Sequence, residues 1–168
     1  MSLEQHRSQA AQQIGFAVLT VSDTRTERDD IGGDFLVQSV EEAGHRCLWR
    51  EIVPDEAERI RAGLGAALAL DEVDILLVTG GTGIAPRDVT GPTLEAAFDS
   101  SIPGFGELFR WLSYREIGSA TILSRATAGL VGDRVVCGLP GSPKALRLAM
   151  AEIILPEAGH LVAQARRR

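Results

Sequence analysis

The chain has 168 residues, 45% of them hydrophobic and 24% charged, the make-up of one ordinary globular domain. A formal net charge of −6 and a pI near 5.1 repel nucleic-acid phosphate. The apolar runs all stop well short of the roughly 20 residues that span a bilayer, so the expectation is a cytoplasmic protein with no nucleic-acid and no membrane partner.

The opening MSLEQHRSQAAQQ lacks a basic start followed by an apolar stretch, so residues 1–14 are expected to be a flexible polar lead-in. FAVLTV, apolar and β-branched, predicts a strand over 16–21, and SDTRTERDDIGG predicts a loop. Phe35, Leu36, Val40 and Ala43 share a stripe, which predicts a helix over 34–43 stopped by Gly44. RCLWREIV reads as a second strand over 46–53. A helix over 56–70 follows, with Ala57, Ile60, Leu64, Ala67 and Leu68 at helical spacing. At its start, Asp55 and Glu58 fit a capping box.

DILLVT (74–79) is apolar throughout rather than alternating, the pattern of a strand buried on both faces of a parallel sheet. After the loop TGGTGIAPRDVT, Pro92 is expected to open a short helix ending near Phe98. Phe105, Leu108, Phe109 and Leu112 recur at i, i+3, i+4, i+7, an amphipathic helix whose stripe is more often core than subunit interface. IGSATILSRATAG has no regular period, and RVVCGL predicts a strand over 134–139. Ser142-Pro143 is an N-cap and first-turn pair for a helix over 143–153, and residues 161–168 are expected to be a solvated basic tail. Alternating strands and helices predict a single domain over 15–160, a three-layer α/β/α sandwich with a mostly parallel central sheet.

Ligands of such sheets bind at the carboxyl ends of the strands, and the unusual residues of this chain gather there. Ser22 and Asp23 follow the first strand, Asp55 the second, and Pro140, Gly141 and Ser142 the last. Gly80, Gly81, Thr82 and Gly83 follow the third, where bare backbone can turn several N–H groups onto an anion such as phosphate. The loop is not a Walker A motif, since no Lys-Ser or Lys-Thr follows, and Pro86 stands where GxGxxG needs its third glycine. Asp88 reads either as a turn residue or as a ligand group, with Arg87 able to pair with it or with a phosphate. Asp55 and Asp88 at one sheet edge suit a magnesium ion, which takes a few carboxylates plus phosphate oxygens. Ser124 reads as a group that binds a heterocycle or caps a turn. His6, His45 and His160 have no zinc-ligand spacing, and Cys47 and Cys137 read as buried free thiols of a reducing compartment. No Ser-His-Asp or Cys-His set supports nucleophilic hydrolysis.

LTVSDTR, IVPDEAERI, VTGGTGIAPRDVT, PGFGELFRWLSYREIGSATILSRATAG and LPGSPKA, in this order from Phe16 to Pro156, resemble the MoaB/Mog family of molybdenum-cofactor biosynthesis, closest to its MoaB branch. The resemblance implies adenylylation of molybdopterin by ATP with magnesium, giving adenylyl-molybdopterin and pyrophosphate. It implies that Asp55 and Asp88 are the catalytic and magnesium-binding aspartates, that Ser124 is the pterin-side serine with Ser113 nearby, and that the glycine loop and the Pro140-Gly141-Ser142 turn line the same pocket. It further implies a homotrimer or a hexamer, and a separate molybdate-insertion protein as partner. Some MoaB-type relatives have lost both aspartates, whereas this chain keeps them. After Thr90 the family's Pro-Glu-Ala is replaced by Gly91-Pro92-Thr93, which is expected to shift the helix start by one position. The competing expectations are a non-catalytic molybdopterin-binding protein and, less well matched, a nucleotide hydrolase of the competence-damage type.

Overall fold

A computed structural model describes residues 13–167, so residues 1–12 of the expected lead-in and Arg168 lie outside the described part. Ile14 is fully buried, and the packed domain therefore begins before the first strand. Six strands form one sheet in the order β2-β1-β3-β6-β5-β4. They are β1 (Gly15–Val21), β2 (Arg46–Val53), β3 (Ile75–Thr79), β4 (Ser100–Ser101), β5 (Thr127–Val131) and β6 (Arg134–Leu139). β2, β1, β3 and β6 run parallel, while β5 is antiparallel to both β6 and β4.

β1 and β3 are buried along their whole length, as their unbroken apolar sequences require. Successive side chains point to opposite faces, so the pleat splits each strand between two cores. Phe16, Val18, Ile75, Leu77, Val135 and Cys137 enter one core; Ala17, Leu19, Leu76, Val78 and Val136 enter the other. Helices α1 (Ile31–Glu42), α4 (Pro103–Ile117), α5 (Pro143–Ala149) and α6 (Leu155–Ala165) cover the first face. Helices α2 (Ala57–Leu68) and α3 (Thr90–Ala97) cover the second. The result is a three-layer α/β/α sandwich with a mostly parallel sheet, the architecture expected from the sequence.

Several boundaries differ from expectation for identifiable reasons. α3 begins at Thr90, with Pro92 two residues into its first turn. A proline is tolerated there because the first N–H groups of a helix have no internal partner. The aperiodic segment contains a 3₁₀ helix (Gly118–Leu123) and then β5, whose mixture of Thr, Ala and Gly lacks the usual β-branched signature. The last helix does not stop at 153. It passes through a π-helical turn (Met150–Ile154), in which Leu155 N–H bonds back to the Met150 carbonyl, and continues as α6 across Pro156. A wider turn relieves the clash that a proline ring would make with the preceding turn. Residues 161–165 are therefore helical, and Arg166 pairs with buried Asp74, which also accepts Gly15 N–H at 2.9 Å. On α4, Phe105 and Phe109 are buried and Leu112 packs beside them, but Leu108 is 42% exposed. Cys137 is buried and desolvation pushes its thiol up to about 12, whereas Cys47 is only half-buried; both are free. No helix among the described residues is long and apolar enough to cross a membrane.

Candidate functional site

The chain leaves β1 toward β2 on one side and returns from β2 to β3 on the other, so the sheet reverses winding between β1 and β3. In open α/β sheets the ligand crevice forms at that point, beyond the carboxyl ends of the strands. Ser22, Thr79, Gly80 and Gly141 meet there around a small cavity of about 150 Å³. Gly80 has φ +99, and any side chain on it would strike the Val21 carbonyl. Its N–H bonds the Leu139 carbonyl at 3.1 Å, and Thr79 Oγ1 donates to the Pro140 carbonyl at 3.2 Å, which ties the β3 and β6 exits together. Ser22 Oγ accepts the Arg25 N–H at 3.1 Å and so shapes the first loop. Ser142 Oγ caps α5 through Ala145 N–H, as its place before Pro143 requires.

Three carboxylates converge beside the glycine loop. Asp23 Oδ1 accepts the Asp55 N–H at 3.0 Å, and its Oδ2 accepts Arg87 Nε at 2.7 Å and a second bond from Arg87 Nη2. These bonds hold the Asp23 carboxyl below its usual range. Arg87 thus pairs with Asp23, not with Asp88. Asp88 folds back over its own loop, where its Oδ2 accepts Ala85 N–H at 2.9 Å and lies 2.6 Å from where a side chain on Gly83 would begin.

Asp55 is the exception in this group. The N-cap of α2 is Glu56 without a side-chain bond, so the expected capping box does not form. Asp55 Oδ1 is instead buried without a hydrogen-bond partner. Burial pushes its carboxyl above the usual range, and the charges of Asp23 and Asp88 push the same way, while the Val89 N–H and Arg87 pull it down. A second buried orphan, the Thr90 hydroxyl, stands beside it, for Thr90 is fully buried. Both face Gly81, whose φ is +62: a Cβ there would touch Thr90 Oγ1 and lie 2.8 and 2.9 Å from the two Asp55 oxygens. Glycine is thus required for its conformation and for the space it leaves.

Both unsatisfied oxygens carry lone pairs, and the acidic charge around them suits a cation. No three His, Cys, Asp or Glu side chains among the described residues form a metal cage. Magnesium, though, commonly relies on one or two carboxylates and fills its remaining positions with water and phosphate. Asp55 and its charged neighbour Asp88 are the two residues that could hold such an ion.

Ser124 lies on the other side of the loop. With Glu107, Arg110, Arg125 and Thr127 it lines a cavity of about 560 Å³, and its Oγ accepts Ala126 N–H at 3.3 Å. Ser113, expected nearby, is buried on α4 and does not line this cavity. Thr82 is buried, and its carbonyl accepts Arg125 N–H at 3.1 Å. Arg125 Nε and Nη2 then reach the carbonyls of Gly83 and Asp88 at 2.7 and 2.6 Å. The sequence pattern assigned a role to the Ser124 hydroxyl but none to Arg125 or Thr90. A third cleft of about 800 Å³, bordered by Ser22, Asp23, Arg25, Arg50 and Pro54, opens along edge strand β2.

Residues 17–160 match the family model described as "Probable molybdopterin binding domain". Over the full length of both chains, 46% of residues are identical to Molybdenum cofactor biosynthesis protein B of Bacillus cereus. A crystal structure of a Molybdenum cofactor biosynthesis protein B, also 46% identical, superposes with a TM-score of 0.91 over 95% of this chain and 100% of that one. The tungsten cofactor synthesizing protein MoaB from Pyrococcus furiosus superposes at 0.86 with 37% identity, over 94% of this chain and 100% of its own.

Proposed function

Because the chain belongs to the molybdopterin-binding family of molybdenum-cofactor biosynthesis, we propose that it adenylylates molybdopterin with ATP. In this reaction a phosphate oxygen of the pterin attacks the α-phosphorus of ATP. A new P–O bond forms, the bond from the α-phosphorus to the bridging oxygen breaks, and pyrophosphate leaves. Two anions must be brought together in line, so positioning and neutralisation of charge account for most of the catalysis.

One observation carries the reading: the buried, unpartnered Asp55 Oδ1 beside the glycine loop, with Asp88 as its charged neighbour. Asp55 and Asp88 would hold magnesium. When bound, the ion supplies positive charge to the phosphates and orients them. The protein's own part is electrostatic and geometric. The Gly80 N–H is held by Leu139, so the N–H groups of Gly81–Gly83 would serve the phosphate oxygens, and Arg87, 67% exposed, can leave Asp23 for an incoming phosphate. The 560 Å³ cavity at Ser124 takes the pterin, whose flat polar ring suits a wall of hydroxyl, guanidinium and backbone groups.

The proposed assembly is a homotrimer, alone or paired into a hexamer. Its support is the outward surface of α4 and the following 3₁₀ helix, which exposes Leu108, Trp111, Tyr114, Ile117, Ile122 and Leu123. Molybdate insertion is left to a separate protein. The deciding experiment mixes purified protein, molybdopterin, ATP and magnesium and measures pyrophosphate and the adenylylated product. Pterin retained without either product identifies a non-catalytic binding protein; AMP or ADP released without pterin identifies a nucleotide hydrolase.

A further inference from the structure

Arg125 is the residue with the most unusual set of partners outside the acidic cluster. Its backbone N–H and two of its guanidinium nitrogens reach three separate residues of one loop: Thr82, Gly83 and Asp88. The side chain spans the tip Ile84–Arg87, joining the carbonyl where the tip begins to the carbonyl where it ends. Across that tip Asp88 and Ala85 also hold each other, through Ala85 N–H to Asp88 Oδ2 and Asp88 N–H to the Ala85 carbonyl, both at 2.9 Å. Both side-chain acceptors of Arg125 are neutral carbonyls, so its charge is not spent on a carboxylate.

The clasp is anchored in turn. Arg110, from α4, donates to the carbonyls of Ala126 and Ser124 at 3.2 and 3.5 Å, fixing the residues on either side of Arg125. Gly106 leaves the room this requires, since a Cβ there would fall 2.9 Å from both terminal nitrogens of Arg110. A continuous set of hydrogen bonds therefore runs from the wall of the Ser124 cavity to the backbone of Asp88.

We propose that Arg125 is a positioning residue that holds Asp88 and the glycine loop in register with the Ser124 cavity. It acts through backbone geometry rather than by touching the reacting atoms. A planar guanidinium presents its donors at fixed spacing and can bridge two carbonyls; a lysine ammonium keeps the charge but is a single point and cannot. The link to turnover rests on the adenylyl-transfer reading, whereas the link to loop order does not.

The test compares wild type, Arg125→Lys and Arg125→Gln in two measurements. The first is amide hydrogen exchange of the ligand-free protein. In both variants Ala85 and Asp88 should exchange on the order of tenfold faster or more, while Leu76 and Leu77 in β3 keep their protection. The second is steady-state adenylylation, where both variants should lose about a hundredfold in kcat with little change in the KM for ATP, as expected for small misplacement of a catalytic group. Restoration of both loop protection and kcat by Arg125→Lys would overturn the proposal, because charge alone would then suffice. An even loss of protection across loop and β3 would also overturn it, by revealing a general structural role. If wild type itself makes no product, the functional reading fails and the exchange measurement alone decides the role of Arg125.

Discussion

Two aspartates at the same edge of this sheet have opposite surroundings. Asp30 is 1% exposed, and both its oxygens are satisfied: Oδ1 by Gly33 N–H at 3.0 Å, Oδ2 by the Thr20 hydroxyl at 2.8 Å and by Arg50 at 2.7 Å. It caps α1 and binds β1, β2 and α1 into one unit. Asp55 has no guanidinium partner, carries an orphaned oxygen and faces two like charges. A buried carboxylate with its bonds complete contributes to stability, whereas one left incomplete costs stability until a ligand arrives. The contrast separates a carboxylate that holds the fold from one that, on the proposed function, is left for a ligand, although both are acidic residues in strand-end loops.

The sharpest way to break this contrast is to neutralise the second type. Asp55→Asn and Asp88→Asn should each lower adenylyl transfer by about a hundredfold or more, read as pyrophosphate release, with the fold intact by circular dichroism. Asp30→Ala, on the other side of the comparison, should destabilise by roughly 2–4 kcal/mol in urea unfolding, from a lost cap and lost charge-assisted bonds. Its turnover per folded molecule should stay within a few-fold of wild type. Gly81→Ala joins the two halves: it forces a left-handed backbone onto a residue with a Cβ and pushes into Thr90 and Asp55. A loss of about 1–3 kcal/mol should accompany a near-complete loss of turnover.

A subtler effect sharpens the comparison through pH. The folded-state pKa of Asp55 is raised, so the unfolded chain gives up this proton first as pH rises. Its contribution to stability therefore falls from the ordinary value of 3.8 upward through the raised folded value, and remains lost above it. Asp55→Asn should remove that downward step, leaving the ligand-free variant no less stable than wild type at pH 7. Comparing unfolding midpoints of the two proteins from pH 4 to 7 tests the sign. The smallest effect belongs to Arg87→Gln. Its pair with Asp23 is exposed, so stability should change by less than about 1 kcal/mol. The KM for ATP should rise, if Arg87 does move to phosphate.

The central strands were legible because burial on both faces leaves unbroken apolar runs such as DILLVT, which local reading can recognise. β5 was missed because its pairing with β6 and β4, not its composition, makes it a strand. The charged and glycine residues of the candidate site were legible from their places after strands. The Asp55 capping box misled, since a local pattern gave way to the Asp23 contact made 32 residues away. Arg125 was invisible for the same reason: its bonds to Gly83 and Asp88 cross 42 and 37 residues and leave no periodic trace. Leu108 illustrates the limit of a helical stripe, which identifies an apolar face without saying where the core ends.

The π-helical turn at Met150–Ile154 amounts to one surplus residue in the final helix. Each residue rotates an α-helix by about 100°, so deleting one from this stretch would restore an ordinary turn and swing everything after it around the axis. Ala158 and Val162 would leave their seats on the sheet, and Arg166 would lose its grip on Asp74. The bulge thus works as a phase-setter, and the length of that short stretch tolerates less change than its amino-acid identities.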